Sequence, residues 1–379
     1  MVQVSDNLAE SSALGKYKPI RIAFTYNSSR RHVSERYLSD TIAPGYAIHF
    51  DLDVMQPNVS VLRLFETARR QSEAPDVFAH PVHTPGLPTD LHVCPVPTVS
   101  LDIDSFGWTS SRIRWAMLFD YVFLWHKSLV PIYQAAGHPK VFAFPHAVDE
   151  DLFQRNSNLV DRSFDLGWVG AFDYAHYNKR RRIIEGLAAR FKMNDFMRRY
   201  DKEETVDIYK ASKIVVNVSR EDFPQEANMR CYEAMAAGAL LITGMPSELT
   251  EWGFREGEHF LGWRAEDEIL CLVDYYLGHE KEREEIARAG QKLTRTDFTF
   301  QKCRDKMIAI LREHPNQVFA PARKWRDEDV RLVYLEYYYR YQLFRPALTQ
   351  FCGLRNLAAY WKGLPMILKT ARHRLKSLV

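Results

Sequence analysis

The sequence has little of several features that define whole classes of protein. Only five of its 379 residues are cysteine, the number is odd, and no Cys-x-x-Cys pair occurs. Cysteines of this kind predict free thiols in a reducing compartment, and neither a disulfide framework nor a zinc site. No uncharged apolar run approaches the roughly 18–20 residues that cross a bilayer. The first 19 residues lack the apolar core of a secretion signal, so we expect a cytoplasmic protein.

Net charge is also low, at +3, which gives no reason to expect a nucleic-acid partner. Acidic residues are missing from one part of the chain, because no Asp or Glu follows Glu336 whereas eight Lys or Arg do. A basic, aromatic tail on a mildly acidic body predicts contact with a partner.

The rest of the chain has the length and the 46% hydrophobic content of a soluble protein with about two domains. Short β-branched runs alternate with helical patterns, first from Ile20–Tyr26 to Val141–Phe144 and again from Asp165–Val169 to Ala239–Thr243. This alternation predicts two α/β domains with parallel sheets and a ligand cleft at the carboxyl ends of the strands. The expected organisation is a loose arm at 1–17, a first domain at 18–147, a second domain at 148–314 and a helical extension at 315–379.

The most informative stretch is Lys213–Thr243, in which a buried strand leads through a long loop into an alanine-rich helix. Gly238 stands where a helix end favours a left-handed residue. The helix begins with Asn228, a good N-cap, and Arg230 follows in its first turn. A helix N-terminus with an arginine suits a diphosphate, and Glu233 one turn later can accept ribose hydroxyls. The alternative is a surface pair between Arg230 and Glu233.

This stretch resembles the nucleotide-sugar-binding segment of GT-B glycosyltransferases, in particular family 4 and the CgeB-like (spore-protein) group. The group's pattern N-x-R-x-(F/Y)-E-A-(M/L)-A-x-G-x-x-(L/I)-(L/I)-T runs from Asn228 to Thr243. Family 4 has two Glu separated by seven residues, which places Gln225 at the first position and Glu226 one residue out of register. Which of the two faces the sugar stays open.

Three further segments carry the same resemblance in the expected order. Phe144–Phe153 is similar to the segment that links the two GT-B domains, Asp165–Asn178 to the glycine turn of the nucleotide-binding domain, and Glu280–Gln291 to the family's closing helix. The resemblance implies an α/β fold of the GT-B type: two Rossmann-like, doubly wound domains that face a cleft, with a helical C-terminal extension.

The resemblance also implies a glycosyltransferase that takes a sugar from a nucleoside diphosphate donor and needs neither a metal nor another cofactor. The acceptor, a surface glycan, a lipid-linked molecule or a protein, stays open. Four basic residues at Lys179–Arg182 oppose the dipole of the helix they begin unless an anion is present, although such a run is usually a solvated face. The expected donor-binding residues are Gly170, Lys179, Arg180, Asn228, Arg230 and Glu233.

On the acceptor side and at the reacting sugar, we expect Asp104, His146 and Glu226, with Asp104 as the candidate general base. Two alternatives stay open. The departure at Gln225 favours a non-catalytic nucleotide- or sugar-binding protein of the same fold. The Asp-x-Asp of Val99–Asp104 is typical of the metal-dependent GT-A fold, which would use Asp102 and Asp104; Asp104 can also be a plain helix N-cap.

The basic tail allows two interpretations. Residues 354–379 pair Leu and Trp with Lys and Arg, as in helices that lie on an anionic membrane surface, which would make the protein peripheral at the inner face. The alternative is packing across the first domain, which we expect for the aromatic residues 333–344. Gly363 and Pro365 predict two short helices in the last segment.

Overall fold

A computed structural model describes most of the chain. The described residues are 20–26, 47–51, 59–71, 74–82, 86–154, 162–172, 177–313 and 317–376. The predicted loose arm at 1–17 lies outside them.

The first sheet has six parallel strands in the spatial order β2-β1-β3-β4-β5-β6. Strands β3, β4 and β5 are buried along their whole length, which is why they appear in the sequence as continuous apolar runs. Their bounds are β1 Ile22–Tyr26, β2 Ala47–Asp51, β3 Val77–Pro81, β4 Thr98–Asp102, β5 Tyr121–Leu124 and β6 Val141–Ala143.

The second sheet has four parallel strands in the order β10-β9-β8-β7. The short strand β10 was not predicted from the sequence. The bounds are β7 Phe164–Gly167, β8 Ser212–Asn217, β9 Leu240–Gly244 and β10 Leu261–Trp263.

Helices connect and cover the strands of both sheets. Those of the first part are α1 Val61–Gln71, α2 Thr109–Ala116, α3 Val130–Ala135 and α4 Glu150–Gln154. Those around the second sheet are α5 Asn178–Ala188, α6 Lys202–Lys210, α7 Met229–Ala236, α8 Glu266–Gly278 and α9 Glu280–Asp297. The last four are α10 Phe300–Glu313, α11 Asp327–Arg340, α12 Phe344–Cys352 and α13 Leu357–Lys376.

The chain crosses between the two sheets twice, and the crossings lie side by side. Val148 donates its N–H to Phe298 O at 2.9 Å, and Phe300 donates to Val148 O at 3.0 Å. Helix α10 then packs on the first sheet, because Phe300, Cys303 and Met307 lie in the same core as β3 and β4. The chain therefore returns to the first sheet before residue 314, the predicted end of the second domain.

Helices α11 to α13 form one core with the first part of the chain, as expected for the aromatic residues 333–344. Tyrosine hydroxyls on α11 bind backbone near residues 87–91: Leu91 donates its N–H to Tyr334 Oη at 3.1 Å, and Tyr338 donates to Leu87 O at 2.8 Å. Each hydroxyl is satisfied, so the buried rings leave no unpaired polar atom there.

The prediction of two short helices in the last segment is wrong, because α13 continues through Pro365. Gly363 does not break the helix but packs it closely. A Cβ at Gly363 would lie 2.8 Å from a methyl carbon of Leu335 on α11 and 3.0 Å from one of Leu354. Tertiary packing therefore overrides the helix-breaking tendency of both residues. Among the described residues, no helix is long and apolar enough to span a bilayer.

Candidate active site

A cavity of about 370 Å³ opens where the loops after β4, β7 and β8 meet. Because the carboxyl ends of parallel strands share one edge of a sheet, loops of distant sequence come together there. Six of the predicted site residues line this cavity: Asp104, Arg180, Glu226, Asn228, Arg230 and Glu233.

Arg230, in the first turn of α7, is fixed on three sides. It donates from Nε and Nη2 to Val169 O at 3.0 and 2.9 Å, and from Nη1 to Asn217 Oδ1 at 2.7 Å. Its guanidinium carbon lies 4.8 Å from the ring centroid of Trp168. Asn228 binds the same amide, since its Nδ2 donates to Asn217 Oδ1 at 3.2 Å. Asn228 lies at the N-cap of α7 as predicted, but its side-chain oxygen accepts no capping bond from the helix.

Gly170 lies directly against this arginine. A Cβ at Gly170 would be 2.4 Å from Arg230 Nη2 and 2.8 Å from the Trp168 ring. Only glycine therefore lets the loop after β7 pass so close to the guanidinium. Gly170 was predicted to bind the donor, but it does not line the cavity, and its close contacts are with Arg230 and Trp168.

Arg180 brings a second guanidinium to the same wall. It donates from Nε to Val218 O at 2.8 Å and from Nη1 to Ala171 O at 3.2 Å, and its guanidinium carbon lies 3.9 Å from the Tyr177 ring centroid. Burial, followed by the positive charge of Arg230, lowers the pKa of Arg180 to about 10. Arg180 is thus still charged at neutral pH, and backbone carbonyls hold its guanidinium near that of Arg230, an arrangement that an anion would stabilise.

Carboxylates reach the cavity from both sheets. Asp104 follows β4 with φ +57°, and its side chain makes no capping bond to the short helix after it. Glu226 comes from the long loop after β8 and is 7% exposed. Burial, and then the negative charge of Asp104, raise the pKa of Glu226 to about 7. Gln225, the alternative to Glu226, does not line the cavity.

Besides Gly170, two more predicted residues lie outside the cavity. The ammonium of Lys179 is 3.4 Å from Glu266 and 5.2 Å from the ring centroid of Trp263, outside the cavity. His146 packs between the rings of Trp125 and Tyr232, at centroid distances of 6.4 and 6.0 Å, and does not line the cavity either. The structure does not bring these two to the positions that the sequence predicted.

The Asp-x-Asp interpretation is corrected by the structure. Asp102 is 1% exposed and accepts hydrogen bonds from Arg112 Nη1 at 2.7 Å and from Tyr133 Oη at 2.8 Å. Its carboxylate is therefore paired inside the first domain and does not face the cleft. No three His, Cys, Asp or Glu side chains among the described residues are grouped so that they could hold a metal ion.

Sequence reasoning missed a buried pair beside Glu226. His126, which follows β5, lies with Nδ1 3.1 Å from both carboxylate oxygens of Glu248, which follows β9. Glu248 also accepts from Ala227 N–H at 3.3 Å. Burial would lower the pKa of His126, but the hydrogen bond and charge of Glu248 outweigh it, so the pKa is raised. The signal in the sequence was a polar residue just past a buried strand.

The same pair helps to join the two parts of the chain. The ring of Phe106, after β4, stacks on that of Phe223 at a centroid distance of 4.5 Å, and His126 meets the edge of both. His126 and Glu248 are each 2% exposed or less. Because Phe106 lies two residues after Asp104 and Phe223 three residues before Glu226, this packed contact joins the two loops that carry these carboxylates.

Comparison with known proteins gives one family match and a set of similar folds. Residues 160–309 match the family described as glycosyl transferase-like, and no curated protein sequence matches the chain. Among solved structures, HepE from Anabaena in complex with UDP-glucose is similar with a TM-score of 0.58 and 11% identity, over 78% of this chain and 100% of that one. Sucrose-phosphate synthase from Thermosynechococcus elongatus gives 0.52 and 12%, over 78% and 98%.

A third similar structure has a different title. The putative UDP-N-acetylglucosamine 2-epimerase from Listeria monocytogenes gives a TM-score of 0.50 and 12% identity, over 78% of this chain and 97% of that one. At these identities the likeness shows the fold alone: the chain has the predicted GT-B fold, with two Rossmann-like parts and a helical C-terminal part. A GT-A enzyme is thereby excluded. The family match in the second part adds support for a glycosyltransferase.

Proposed function

We propose that the protein is a glycosyltransferase of the CgeB-like group, related to family 4, that moves a sugar from a nucleoside diphosphate donor to an acceptor without a metal ion. The observation that carries the proposal is the pair of fixed guanidinium groups, Arg180 and Arg230, in a cleft that also holds carboxylates. UDP is the first nucleotide to test, because HepE is described in complex with UDP and UDP-glucose.

In this proposal the donor's diphosphate lies between Arg180 and Arg230, next to the first turn of α7. Negative charge develops on the diphosphate as the bond to the sugar breaks. Donors that are fixed before the reaction stabilise that charge without having to reorganise. The hydrogen bonds of both arginines to Val169, Ala171 and Val218 carbonyls keep them fixed. They take the role that a metal ion has in other transferases.

Glu233 lies one helical turn after Arg230 on the same wall of the cavity. We assign it to the two ribose hydroxyls, which a carboxylate can accept together. On the other side, Asp104 comes from the first part of the chain and is our candidate for the base that activates the acceptor. Glu226 also lines the cavity and is our candidate for positioning the sugar, with the buried His126–Glu248 pair next to it.

A first experiment is a thermal-shift comparison of UDP-, GDP-, ADP- and CMP-linked sugars. A nucleotide at 100 times its Kd adds about 2.7 kcal/mol of stability. We expect the largest shift with a UDP-sugar, and release of UDP from it that is unchanged by EDTA. Binding without turnover would favour the non-catalytic alternative. Formation of an epimerised sugar would indicate an epimerase, and a strict metal requirement would contradict the proposal.

Glu233 is tested with Glu233→Gln and two nucleotides, UDP and 2′-deoxy-UDP. Because a lost charged hydrogen bond costs roughly 1.5–3 kcal/mol, we expect Glu233→Gln to weaken UDP binding about tenfold or more. The wild-type protein should prefer UDP over 2′-deoxy-UDP, and the variant should discriminate much less. Glu285→Gln, an exposed change on α9, is the matched control. Equal discrimination in both variants would remove Glu233 from the ribose site.

Glu226 predicts a pH dependence. Its pKa of about 7 means that the folded protein holds a proton that the unfolded chain releases near pH 4.5, so this group's contribution to stability falls as pH rises through 7. A diphosphate nearby favours the protonated form further. UDP-glucose binding should therefore weaken above pH 7, by up to about tenfold per pH unit for one linked proton.

The uncharged variant Glu226→Gln isolates this effect. We expect it to bind UDP-glucose more tightly than wild type at pH 8 and to show a flatter pH profile by calorimetry. The other charged groups near this carboxylate are Asp104, His126, Arg180 and Arg220. Because His126 loses its positive charge as pH rises, it also weakens binding of the anionic donor, so the variant should keep a small dependence of affinity on pH. An unchanged slope in the variant would show that Glu226 does not titrate near the donor.

A further inference from the structure

Helix α13 has two faces that the sequence alone did not separate. Ala359, Gly363, Ile367 and Thr370 are buried and follow one another at intervals of three or four residues. They pack on α11 and α12 in the core shared with the first part of the chain. The packing interpretation of this segment is therefore confirmed for one side of the helix, and it leaves the other side uncovered.

The uncovered side carries an unusual concentration of apolar surface. Leu357, Trp361 and Leu368 are 71%, 62% and 60% exposed, the three highest values among the large hydrophobic side chains of the described residues. Their spacings of four and seven residues place them in one stripe along the helix. Scattered apolar residues on a surface are ordinary, but an aligned stripe of large ones indicates a contact.

Basic side chains run beside the stripe. Lys362, Lys369 and Arg372 are exposed on the same half of α13. No Asp or Glu follows Glu336, so no acidic side chain lies on this helix. The surface of this helix therefore combines an apolar stripe with positive charge and carries no negative charge.

We propose that the outer face of α13 docks on an anionic lipid bilayer, with the helix axis parallel to the membrane. Lipid supplies both things that this face lacks, an apolar layer for Leu357, Trp361 and Leu368 and negative headgroups for the cations. A second copy of the chain fits poorly, because a symmetric contact would bring two basic stripes together. The inner face stays in the protein core, so the docked helix remains attached to the body.

The test is co-sedimentation of the full chain with vesicles. We expect binding to vesicles that contain about one third phosphatidylglycerol, weaker binding to pure phosphatidylcholine, and a partial loss of binding as salt screens the charges. Because each basic side chain near an anionic surface contributes roughly fivefold in partitioning, Lys362→Glu/Lys369→Glu/Arg372→Glu should lower binding by about a hundredfold or more. Leu357→Ser/Trp361→Ser/Leu368→Ser should abolish binding that survives high salt.

A matched control has the same change in net charge. Lys281→Glu/Arg288→Glu/Lys292→Glu alters three exposed cations on α9 and should leave vesicle binding nearly unchanged. Circular dichroism and melting should be alike in all variants. The proposal is overturned if the full chain does not bind the anionic vesicles or if the control variant loses binding equally. It is also overturned if the apolar variant converts a dimer to a monomer and still binds the vesicles. UDP binding is measured in parallel and does not depend on this face, so the two proposals fail separately.

Discussion

Replacing Arg180 or Arg230 with glutamine should weaken UDP binding by roughly 10- to 100-fold, because each side chain supplies a charged hydrogen-bond donor to the diphosphate. Turnover should fall at least as much, since the charge that these groups stabilise increases as the sugar leaves. Calorimetry with UDP measures the first effect, and initial rates of UDP release measure the second.

The two changes also differ in a way that separates binding from folding. Arg230 holds Val169 and Asn217, so Arg230→Gln should lower the melting temperature of the ligand-free protein. Arg180→Gln removes the repulsion between two close positive charges and should cost less stability. The double variant should lose less affinity than the sum of the single ones, because the two groups share one anion.

Arg181→Gln is the matched control for this pair. Arg181 is the next residue on α5, half-exposed, and paired with Glu185 at 3.3 Å. Its replacement should leave UDP affinity within about twofold, as for an ordinary surface ion pair. Equal losses in Arg180→Gln and Arg181→Gln would mean that the charge of the whole helix, and not the fixed guanidinium, attracts the nucleotide.

The largest loss of stability is expected from Asp120→Ala. Asp120 directly precedes β5, at the amino ends of the strands and therefore opposite the cleft. Asp120 is fully buried and accepts four hydrogen bonds. Thr98 donates from N and Oγ1 at 2.7 and 2.8 Å, and the backbone N–H groups of Phe319 and Ala320 donate at 2.6 and 2.8 Å. The carboxylate thereby ties the start of the helical extension to β4.

Removing it takes the acceptor from four donors, most of them buried, which should cost roughly 3–5 kcal/mol in the free energy of unfolding. Urea denaturation followed by tryptophan fluorescence measures this loss. Asp207→Ala, an exposed change on α6, should cost less than about 0.5 kcal/mol. Under native conditions Asp120→Ala should still bind UDP, because the proposed donor site lies at the carboxyl ends of the strands. A small loss of stability would show that solvent or another group replaces the carboxylate.

Local features of the chain were predictable to within a few residues. The alternating apolar runs predicted β4 and β5, and the left-handed position of Gly238, with φ +81°, followed from its place after α7. The family pattern at 228–243 predicted three side chains on one cavity wall. These features depend on neighbours within about ten residues, where spacing and backbone preference decide.

Contacts between distant segments were not predictable in this way. The charge of Asp104 raises the pKa of Glu226, yet the two residues come from different parts of the chain and no sequence spacing relates them. His126 and Glu248 are 122 residues apart in the chain. Lys179 is adjacent to Arg180 but turns to Glu266 and Trp263, because successive helical residues point about 100° apart.

The sequence by itself determined the alternation of strands and helices, the family pattern at 228–243, and the separation of an acid-free basic tail from the body. Only the tertiary structure decided which charges meet in the cleft, which predicted residues are excluded from it, and that α13 continues through Gly363 and Pro365. The physical reason is that periodicity specifies which side of an element is buried, whereas the partner on that side is chosen by packing among all elements at once. In α13 this choice buries one face and leaves Leu357, Trp361 and Leu368 on the other.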